Sequence, residues 1–457
     1  MKKVSRIDDR DKQFYKVLAG IAIPISIQGV VSATLTLVDN LMVGFLGESE
    51  LAAVGIASQI FFIHYLLLFG FTGGAATFMA QFFGACELKN IRKTAGFAIG
   101  VMLVTAVLFF IPGFFFTEQF LGIYSDSPEI IAMAVPYVKI ASPVFFLTAV
   151  SSPLEMAFKA THQTKVPMIV SVVVFTTNAC LNYILIFGKF GAPAMGVAGA
   201  AVGTVTARIL EFCINIYFAA RKGNVFYGKA EEYINWNKTM MIRILKNSAP
   251  TTLNEVLWSI GQSLYVAAFS RLGVTAYAGY QAAHCIYNIF SFAAYSMGDA
   301  SLILVGKTIG EGKKEESMIL AKKLFRIGTA AGTVIGLIQI ALAYPLVGMF
   351  SLTHAGKLYA MKILIIDGLF LGMNLYNGIS VTGVLRSGGD TKFAMISECS
   401  CVWFVSVPLA FITALFFHLP VHFCVLVMKA EEIIKLVILR KRFYSGKWIN
   451  IVIEGLK

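Results

Sequence analysis

The feature that most constrains this chain is the long run from Leu51 to Cys86, which contains no Asp, Glu, Lys or Arg. A transmembrane helix needs about 20 consecutive apolar residues, so this run is long enough to cross a bilayer with some tilt. Charged residues make up only 14% of the 457 residues and hydrophobic residues 57%, whereas a soluble domain carries about 25% charged residues. We therefore expect an all-α polytopic membrane protein and exclude an ordinary soluble enzyme, a disordered chain and a coiled coil.

Similar charge-poor runs, separated by turn signals, predict twelve transmembrane helices along the chain. We place them at about residues 17–45, 51–84, 95–117, 130–157, 166–188, 197–220, 248–271, 276–306, 324–350, 358–385, 393–417 and 420–440. Lys and Arg cluster in every second connection, beginning with the cluster from Lys2 to Lys16. The positive-inside rule then predicts a multi-pass protein of the cytoplasmic membrane with both termini in the cytoplasm. These cations would face anionic lipid headgroups, so we do not expect nucleic acid as a partner.

The two halves of the chain resemble each other at an ungapped offset of 226 residues. The matches include Pro24 with Pro250, Gly47 with Gly273, Gly84 with Gly310 and Ser125 with Ser351. Each half would contain six spans, an even number, so both halves enter the membrane in the same orientation, as in parallel-repeat transporters. We therefore predict an N-terminal six-helix lobe at residues 1–222, a cytoplasmic linker at 223–247 and a C-terminal six-helix lobe at 248–457, related by pseudo-symmetry.

Acidic residues inside the predicted spans call for an explanation, because a charge at bilayer depth costs at least about 2.5–3.5 kcal/mol. Helical spacing offers ion pairs for Glu155 with Lys159, for Glu211 with Arg208, and for Glu431 and Glu432 with Lys429 and Lys435. Asp367 lies five residues after Lys362, which is a poor helical spacing, so its partner stays open.

Asp39 and Glu255 differ from these acids because neither has a basic residue at helical spacing. A desolvated carboxylate is expected to take up a proton or to bind a cation. Both responses suit a site at which H⁺ or Na⁺ binding drives the release of a cationic substrate. At each position the alternative is a structural carboxyl group that is hydrogen-bonded to a neighbouring helix.

Around these residues the chain resembles the multidrug and toxin extrusion (MATE) family of cation-coupled antiporters, in particular its bacterial NorM- and DinF-like members. The resemblance runs through nearly the whole chain. It is strongest in VDNLMVGFLGESELAAVG (Val38–Gly55), LNYILIFGKFGAPAMGVAGAAVGT (Leu181–Thr204) and GVLRSGGDTK (Gly383–Lys392), with a weaker match in RFYSGKW (Arg442–Trp448). It implies two six-helix lobes around a V-shaped cleft that opens alternately to each face. It also implies export of organic cations against inward flow of H⁺ or Na⁺.

The same resemblance implies a coupling site in the first lobe. Asp39 matches a first-helix aspartate that binds H⁺ or Na⁺, and Na⁺ is the one metal ion expected there. Asn182, Thr204 and Tyr137 match polar residues around that aspartate. Glu255 is similar to an acidic residue in the seventh helix of NorM-like members, although it lies about one helical turn nearer the cytoplasm.

The chain departs from the family pattern at Ile186 and Leu375, where other members carry aspartates. Under the internal repeat, the two unpaired acids align with uncharged residues of the other lobe, so the two lobes are expected to be chemically unequal. For the substrate path, Tyr280, Gln281 and Asn377 are the predicted polar residues, and the aromatic content of 13% suits organic cations.

These observations predict a monomeric secondary multidrug antiporter that exports small organic cations by alternating access and has membrane lipids as its other partners. The sequence has no GxxxxGK[ST] phosphate loop, so ATP is not expected to drive it directly. It also has no catalytic triad or zinc motif, so we expect neither enzyme activity nor a cofactor beyond the coupling ion. The alternatives are a lipid or lipid-linked oligosaccharide flippase of the same superfamily and, less directly, a membrane-embedded enzyme.

Overall fold

The computed structural model describes residues 2–456, with side chains for residues 12–292 and 295–456. The side chains of the basic residues from Lys2 to Arg10 therefore lie outside the described part.

The described residues form seventeen α-helices. In chain order they are α1 (Lys2–Gly44), α2 (Glu48–Gly84), α3 (Leu88–Phe115), α4 (Thr117–Leu121), α5 (Pro128–Ala141), α6 (Val144–Ala160), α7 (Lys165–Phe187), α8 (Val197–Ala220), α9 (Glu231–Ile234), α10 (Lys238–Phe269), α11 (Val274–Gly310), α12 (Lys314–Gly348), α13 (His354–Gly378), α14 (Thr391–Cys401), α15 (Val407–Phe411), α16 (Val421–Met428) and α17 (Ala430–Tyr444). Short π-helical segments at Ile379–Leu385, Val402–Ser406 and Ile412–Phe416 extend α13, α14 and α15.

Nine helices within the described residues are long and apolar enough to cross a membrane, or ten when the pair α5 and α6 is counted as one span. This pair bends by 51° at Ser142 and Pro143. A proline removes a backbone donor and clashes with the preceding turn, which accounts for a break at this point. The two other predicted spans correspond to α10 and to the pair α16 and α17, which are more polar or shorter.

The seventh and twelfth spans differ from the sequence prediction. Helix α10 begins at Lys238 instead of residue 248, because the Asn237 side chain accepts hydrogen bonds from the backbone N–H groups of Thr239 (2.7 Å) and Met240 (3.3 Å) and caps its first turn. The twelfth span is broken at Lys429 into two helices. The lobe boundaries at residues 222 and 248 stay a prediction.

Helices α2 and α11 are equivalent elements of the two halves. Each has 37 residues, and both ends of α11 lie 226 residues after those of α2. The same offset relates the first residues of α3 and α12, of α5 and α13, and of α7 and α14. The internal duplication predicted from the sequence is therefore confirmed.

The helices pack into two lobes. In the first lobe α1 packs on α7, α2 packs on α3 and α6, and α5 packs on α8. In the second lobe α10 packs on α14, while α11 and α12 pack on α13. The lobes meet where α2 contacts α10 and α11, and where α1 contacts α11.

Three hydrogen bonds between the lobes involve the half of α2 that is nearer the loop at residues 85–87. We call this side, which also has the loop at residues 311–313, the basic side. Thr251 Oγ1 donates to the Gly70 carbonyl (2.7 Å), Asn247 Nδ2 to the Gly74 carbonyl (2.8 Å) and Gln81 Nε2 to the Ser387 carbonyl (2.9 Å). Glycine permits this close approach, since a Cβ atom at Gly84 would lie 2.0 Å from the Lys307 carbonyl oxygen. The two lobes are thus tightly packed on the basic side.

Candidate cation site

Asp39 lies five residues before the end of α1, at the end of the helix far from the basic side. Its carboxylate is half-buried and accepts a 2.8 Å hydrogen bond at Oδ1 from Asn182 Nδ2 on α7. Asn182 is itself only 1% exposed. This bond confirms the spatial proximity of Asp39 and Asn182 that the resemblance implied, and it joins the first and fifth predicted spans.

Three further polar residues continue the site from Asn182. Asn182 Nδ2 also contacts Asn178 Oδ1 (3.0 Å), and Asn178 Nδ2 contacts Thr204 Oγ1 on α8 (3.4 Å). The buried Tyr137 hydroxyl lies within hydrogen-bonding reach of Thr204. The structure thus brings together the four first-lobe residues predicted for coupling, and it adds Asn178. Asn178 precedes Asn182 by four residues, and this spacing in the sequence already places both side chains on one face of the helix.

The oxygen atoms of this network fit a small cation or a proton. Asn182 Oδ1 is buried and has no hydrogen-bond partner among the residues that the structure describes. Together with the Asp39 carboxylate and the Thr204 hydroxyl, it supplies the oxygen ligands that hard cations prefer. Within the described residues, no group of three or more His, Cys, Asp or Glu is placed to hold a metal ion.

No basic side chain that the structure describes makes an ion pair with Asp39 within 4.0 Å. The cation that acts on it electrostatically is Arg208 on α8. Arg208 Nη1 is already paired at 2.5 Å with Glu211 Oε2, so the i,i+3 pair predicted from the sequence is confirmed. Asp39 is therefore held by an amide rather than by an ion pair.

Glu155 on α6 has different partners from the one predicted. It accepts hydrogen bonds from Gln28 Nε2 on α1 (3.2 Å) and Asn215 Nδ2 on α8 (3.4 Å). The predicted partner, Lys159, instead lies 3.7 Å from Asp299 Oδ2 on α11 of the other lobe. The prediction of a Glu155–Lys159 pair was wrong. Spacing within one helix gives no information about an acid on another helix that packs against it across the lobe interface.

Glu255 on α10 has a cation in space although it has none nearby in the sequence. Its Oε1 lies 2.7 Å from Arg386 Nη2, and the two side chains are 13% and 4% exposed. The Arg386 carbonyl also accepts a 2.8 Å hydrogen bond from Thr77 on α2, so the pair lies against the lobe interface. A coupling ion at Glu255 would have to displace a guanidinium group, and the geometry favours a structural ion pair.

Three other acids of the second lobe, Asp367, Glu431 and Glu432, also have partners. Asp367, left open by the sequence, pairs with Lys429 at 2.7 Å, at the break between α16 and α17. The predicted pair of Glu431 with Lys435 is confirmed at 2.6 Å. Glu432 lies 3.9 Å from Lys435 and accepts a 3.1 Å hydrogen bond from Asn374.

The three residues predicted for the substrate path do not converge with Asp39. Tyr280 is buried, and its ring packs on Phe269 with centroids 4.8 Å apart. Gln281 Nε2 donates to the Tyr277 hydroxyl. Asn377 is 2% exposed and donates to the Glu432 carboxylate at 2.7 Å. These contacts lie inside the second lobe, and a role in the substrate path stays a prediction.

Together, these features define the class: a helical multi-pass membrane protein made of two repeats, with a carboxylate-centred polar site in the first. The MatE family model matches the chain twice, at residues 24–184 and 250–412, once in each repeat. The chain belongs to the MatE family, a family of transporters, and the resemblance given by the sequence is confirmed.

The chain is similar to curated relatives and to solved structures over most of its length. The chain is 26% identical over 443 residues to the "probable multidrug resistance protein NorM" of Thermotoga maritima, covering 95% of this chain and 93% of that protein. It is 24% identical over 400 residues to the "probable multidrug resistance protein YoeA" of Bacillus subtilis, covering 85% of both. A crystal structure of MATE in complex with MaL6 superposes with a TM-score of 0.87 at 17% identity, covering 94% of this chain and 97% of that one. An outward-facing multidrug resistance MATE transporter gives 0.84 at 18% identity, covering 94% and 96%. The all-α fold with two lobes of six helices is thereby confirmed.

Proposed function

We propose that this protein is a secondary multidrug antiporter that exports organic cations in exchange for H⁺ or Na⁺ by alternating access. The observation that carries the proposal is the Asp39 carboxylate, which an amide holds without an ion pair in the part of the chain the structure describes. The names of the Thermotoga and Bacillus relatives as multidrug resistance proteins support the same function.

The basic side is the cytoplasmic side in this proposal, so both termini lie in the cytoplasm and the protein spans the cytoplasmic membrane. The lobes are packed together on that side. Asp39 lies near the opposite end of α1. An ion arriving from outside therefore reaches the site while the cytoplasmic side is closed.

The proposed cycle depends on the charge of Asp39. The ionised carboxylate supports the state that holds the cationic substrate. A proton or Na⁺ from outside neutralises the carboxylate, α1 then repacks around Pro24 and Asn182, and the substrate leaves. A ligand shifts two conformations only by its different affinity for them, and a group whose charge changes provides that difference.

The proposal includes a monomer whose partners are small organic cations and membrane lipids, without nucleic acid. It includes no cofactor beyond the coupling ion and no enzyme activity. Asp39 can act on either coupling ion, since a carboxylate both titrates and supplies oxygen ligands.

Ethidium transport in proteoliposomes tests the proposal, with a pH gradient and a Na⁺ gradient imposed separately. We expect one of the two gradients to drive ethidium movement in the absence of ATP when the coupling ion flows down its gradient in the direction opposite to the dye. The proposal would be overturned if neither the pH gradient nor the Na⁺ gradient drives ethidium movement. Movement of a fluorescent lipid-linked sugar instead of ethidium in the same liposomes would favour the flippase.

A further inference from the structure

A pocket formed by the second lobe alone lies on the basic side, between α12, α13 and α17, and has a volume of about 470 Å³. Its lining is Lys322, Phe325, Arg326, Thr329, Ala330, Thr333, Tyr376, Arg440, Phe443 and Tyr444. It does not include any residue of the Asp39 network, and the proposed transport cycle does not use it.

The described residues that line the pocket include three cations and no acid. Lys322, Arg326 and Arg440 are all exposed, and none of them pairs within 4.0 Å with an acidic side chain described in the structure. Nearby cations elsewhere in the second lobe, such as Lys435, do have acidic partners. Among the described residues, no acid offsets the positive charge of the pocket, which favours an anion.

An aromatic ring lies beside two of these cations, Lys322 and Arg440. Lys322 Nζ lies 5.5 Å from the centroid of the Tyr444 ring, and the Arg440 guanidinium carbon lies 5.7 Å from it. Beneath them Phe325 stacks on Tyr376 with centroids 4.4 Å apart and meets Phe443 edge-on at 5.0 Å. The result is an apolar floor below a basic rim, a combination that suits an amphipathic anion.

Exposed apolar side chains continue from the pocket along both helices, away from the basic side. On α12, Val334 and Leu337 follow the pocket at helical spacing and are 56% and 57% exposed. On α17, Val437 and Ile433 precede Arg440 at the same spacing and are 48% and 49% exposed. An apolar track therefore leads from the cations toward the membrane interior.

We propose that this pocket binds the phosphate headgroup of an anionic phospholipid, with its acyl chains lying along the exposed faces of α12 and α17. Basic pockets between transmembrane helices at the headgroup level recognise such lipids. The apolar track distinguishes a lipid from free phosphate, which would need only the cations. The proposal does not depend on the transport function of the chain.

Native mass spectrometry of the detergent-purified full-length protein tests this, with phosphatidylglycerol and phosphatidylcholine of identical acyl chains. We expect the wild type to retain phosphatidylglycerol selectively. The double variant Arg326→Gln/Arg440→Gln should bind it about 25-fold more weakly, because each cation near an anionic surface contributes about fivefold. The matched control Arg221→Gln/Lys222→Gln, which removes two exposed cations beyond the end of α8, should bind like the wild type.

Three results would overturn the proposal. The first is equal binding of the two lipids, and the second is undiminished binding by the double variant. The third is displacement of bound phosphatidylglycerol by an equal concentration of inorganic phosphate, which would make the pocket a site for free phosphate. If the double variant fails to fold, phosphatidylglycerol with a photoreactive acyl chain tests the wild type. We expect crosslinks to the peptides around Val334 or Val437, and crosslinks confined to other peptides would overturn the proposal.

Discussion

Asn182 on α7 donates a 2.8 Å hydrogen bond to Asp39 on α1, while its own amide oxygen is buried with no hydrogen-bond partner in the described part of the chain. The strength of the hydrogen bond from this amide therefore depends on whether the carboxylate is ionised. When Asp39 is neutralised, the acceptor becomes weaker and the contact between the two helices changes. This pair gives the proposed coupling step a specific structural basis.

Replacing Asn182 tests that link. A hydrogen bond to a charged group contributes about 1.5–3 kcal/mol, so Asn182→Leu should shift the half-saturating concentration of the coupling ion by about tenfold or more. The measurement is the rate of ethidium efflux against coupling-ion concentration. Asn40→Leu, at the exposed neighbour of Asp39, is the control and should leave the curve unchanged. Equal curves for both variants would contradict a role for Asn182.

Gly203 on α8 sets the space available to Asn182. A Cβ atom at this position would lie 2.2 Å from Asn182 Oδ1, so Gly203→Ala must move the amide and lengthen its bond to Asp39. We expect impaired efflux from a protein that still inserts and purifies. Gly55→Ala is the matched control, since a Cβ atom there has no neighbour within 4 Å. Wild-type efflux by Gly203→Ala would show that the site tolerates a displaced amide.

The pair of Glu255 with Arg386 should contribute to stability instead of coupling. Removing one partner of a buried ion pair costs about 3–5 kcal/mol, so Glu255→Gln should lower the unfolding temperature clearly, whereas Glu255→Gln/Arg386→Met should recover part of the loss. Thermal unfolding in detergent measures both. The opposite outcome, an unchanged unfolding temperature with loss of coupled efflux, would return Glu255 to the coupling role that the sequence suggested.

His162, in the loop between α6 and α7, should make the protein less stable in acid. Burial, with Lys307 nearby, lowers the pKa of His162 to about 4. An unfolded histidine binds a proton near pH 6.5, so the unfolded state binds more protons between about pH 6.5 and 4, and stability falls as the pH falls. His162→Gln should therefore reduce the drop in unfolding temperature between about pH 7.5 and 5. The exposed His354→Gln is the control, and an equal drop for both variants would contradict the account.

Much of the architecture follows from the sequence, because the membrane imposes simple rules. The uncharged run from Leu51 to Cys86 matches α2 closely, and the 226-residue offset reappears in the ends of α2 and α11. The sequence prediction placed the start of α10 too late, although the sequence contains an N-cap signal. Asn237 is a strong N-cap residue, but the charged residues that follow it led us to predict a linker there.

The site was predictable only in part. Asp39 stands out because it has no cation at helical spacing, and the family resemblance supplied its neighbours. Spacing within a helix correctly predicted the pair of Glu211 with Arg208. It could not find Arg386 as the partner of Glu255, because those residues are 131 positions apart and meet only after the lobe has folded.

The most direct test of the central claim is coupled efflux by Asp39→Asn in proteoliposomes, with insertion and thermal stability measured alongside. The substituted amide resembles the neutral carboxyl group in shape but can neither ionise nor provide a charged ligand. The account predicts a folded, inserted protein in which neither a pH gradient nor a Na⁺ gradient drives ethidium transport. Gradient-driven transport at the wild-type rate would contradict it.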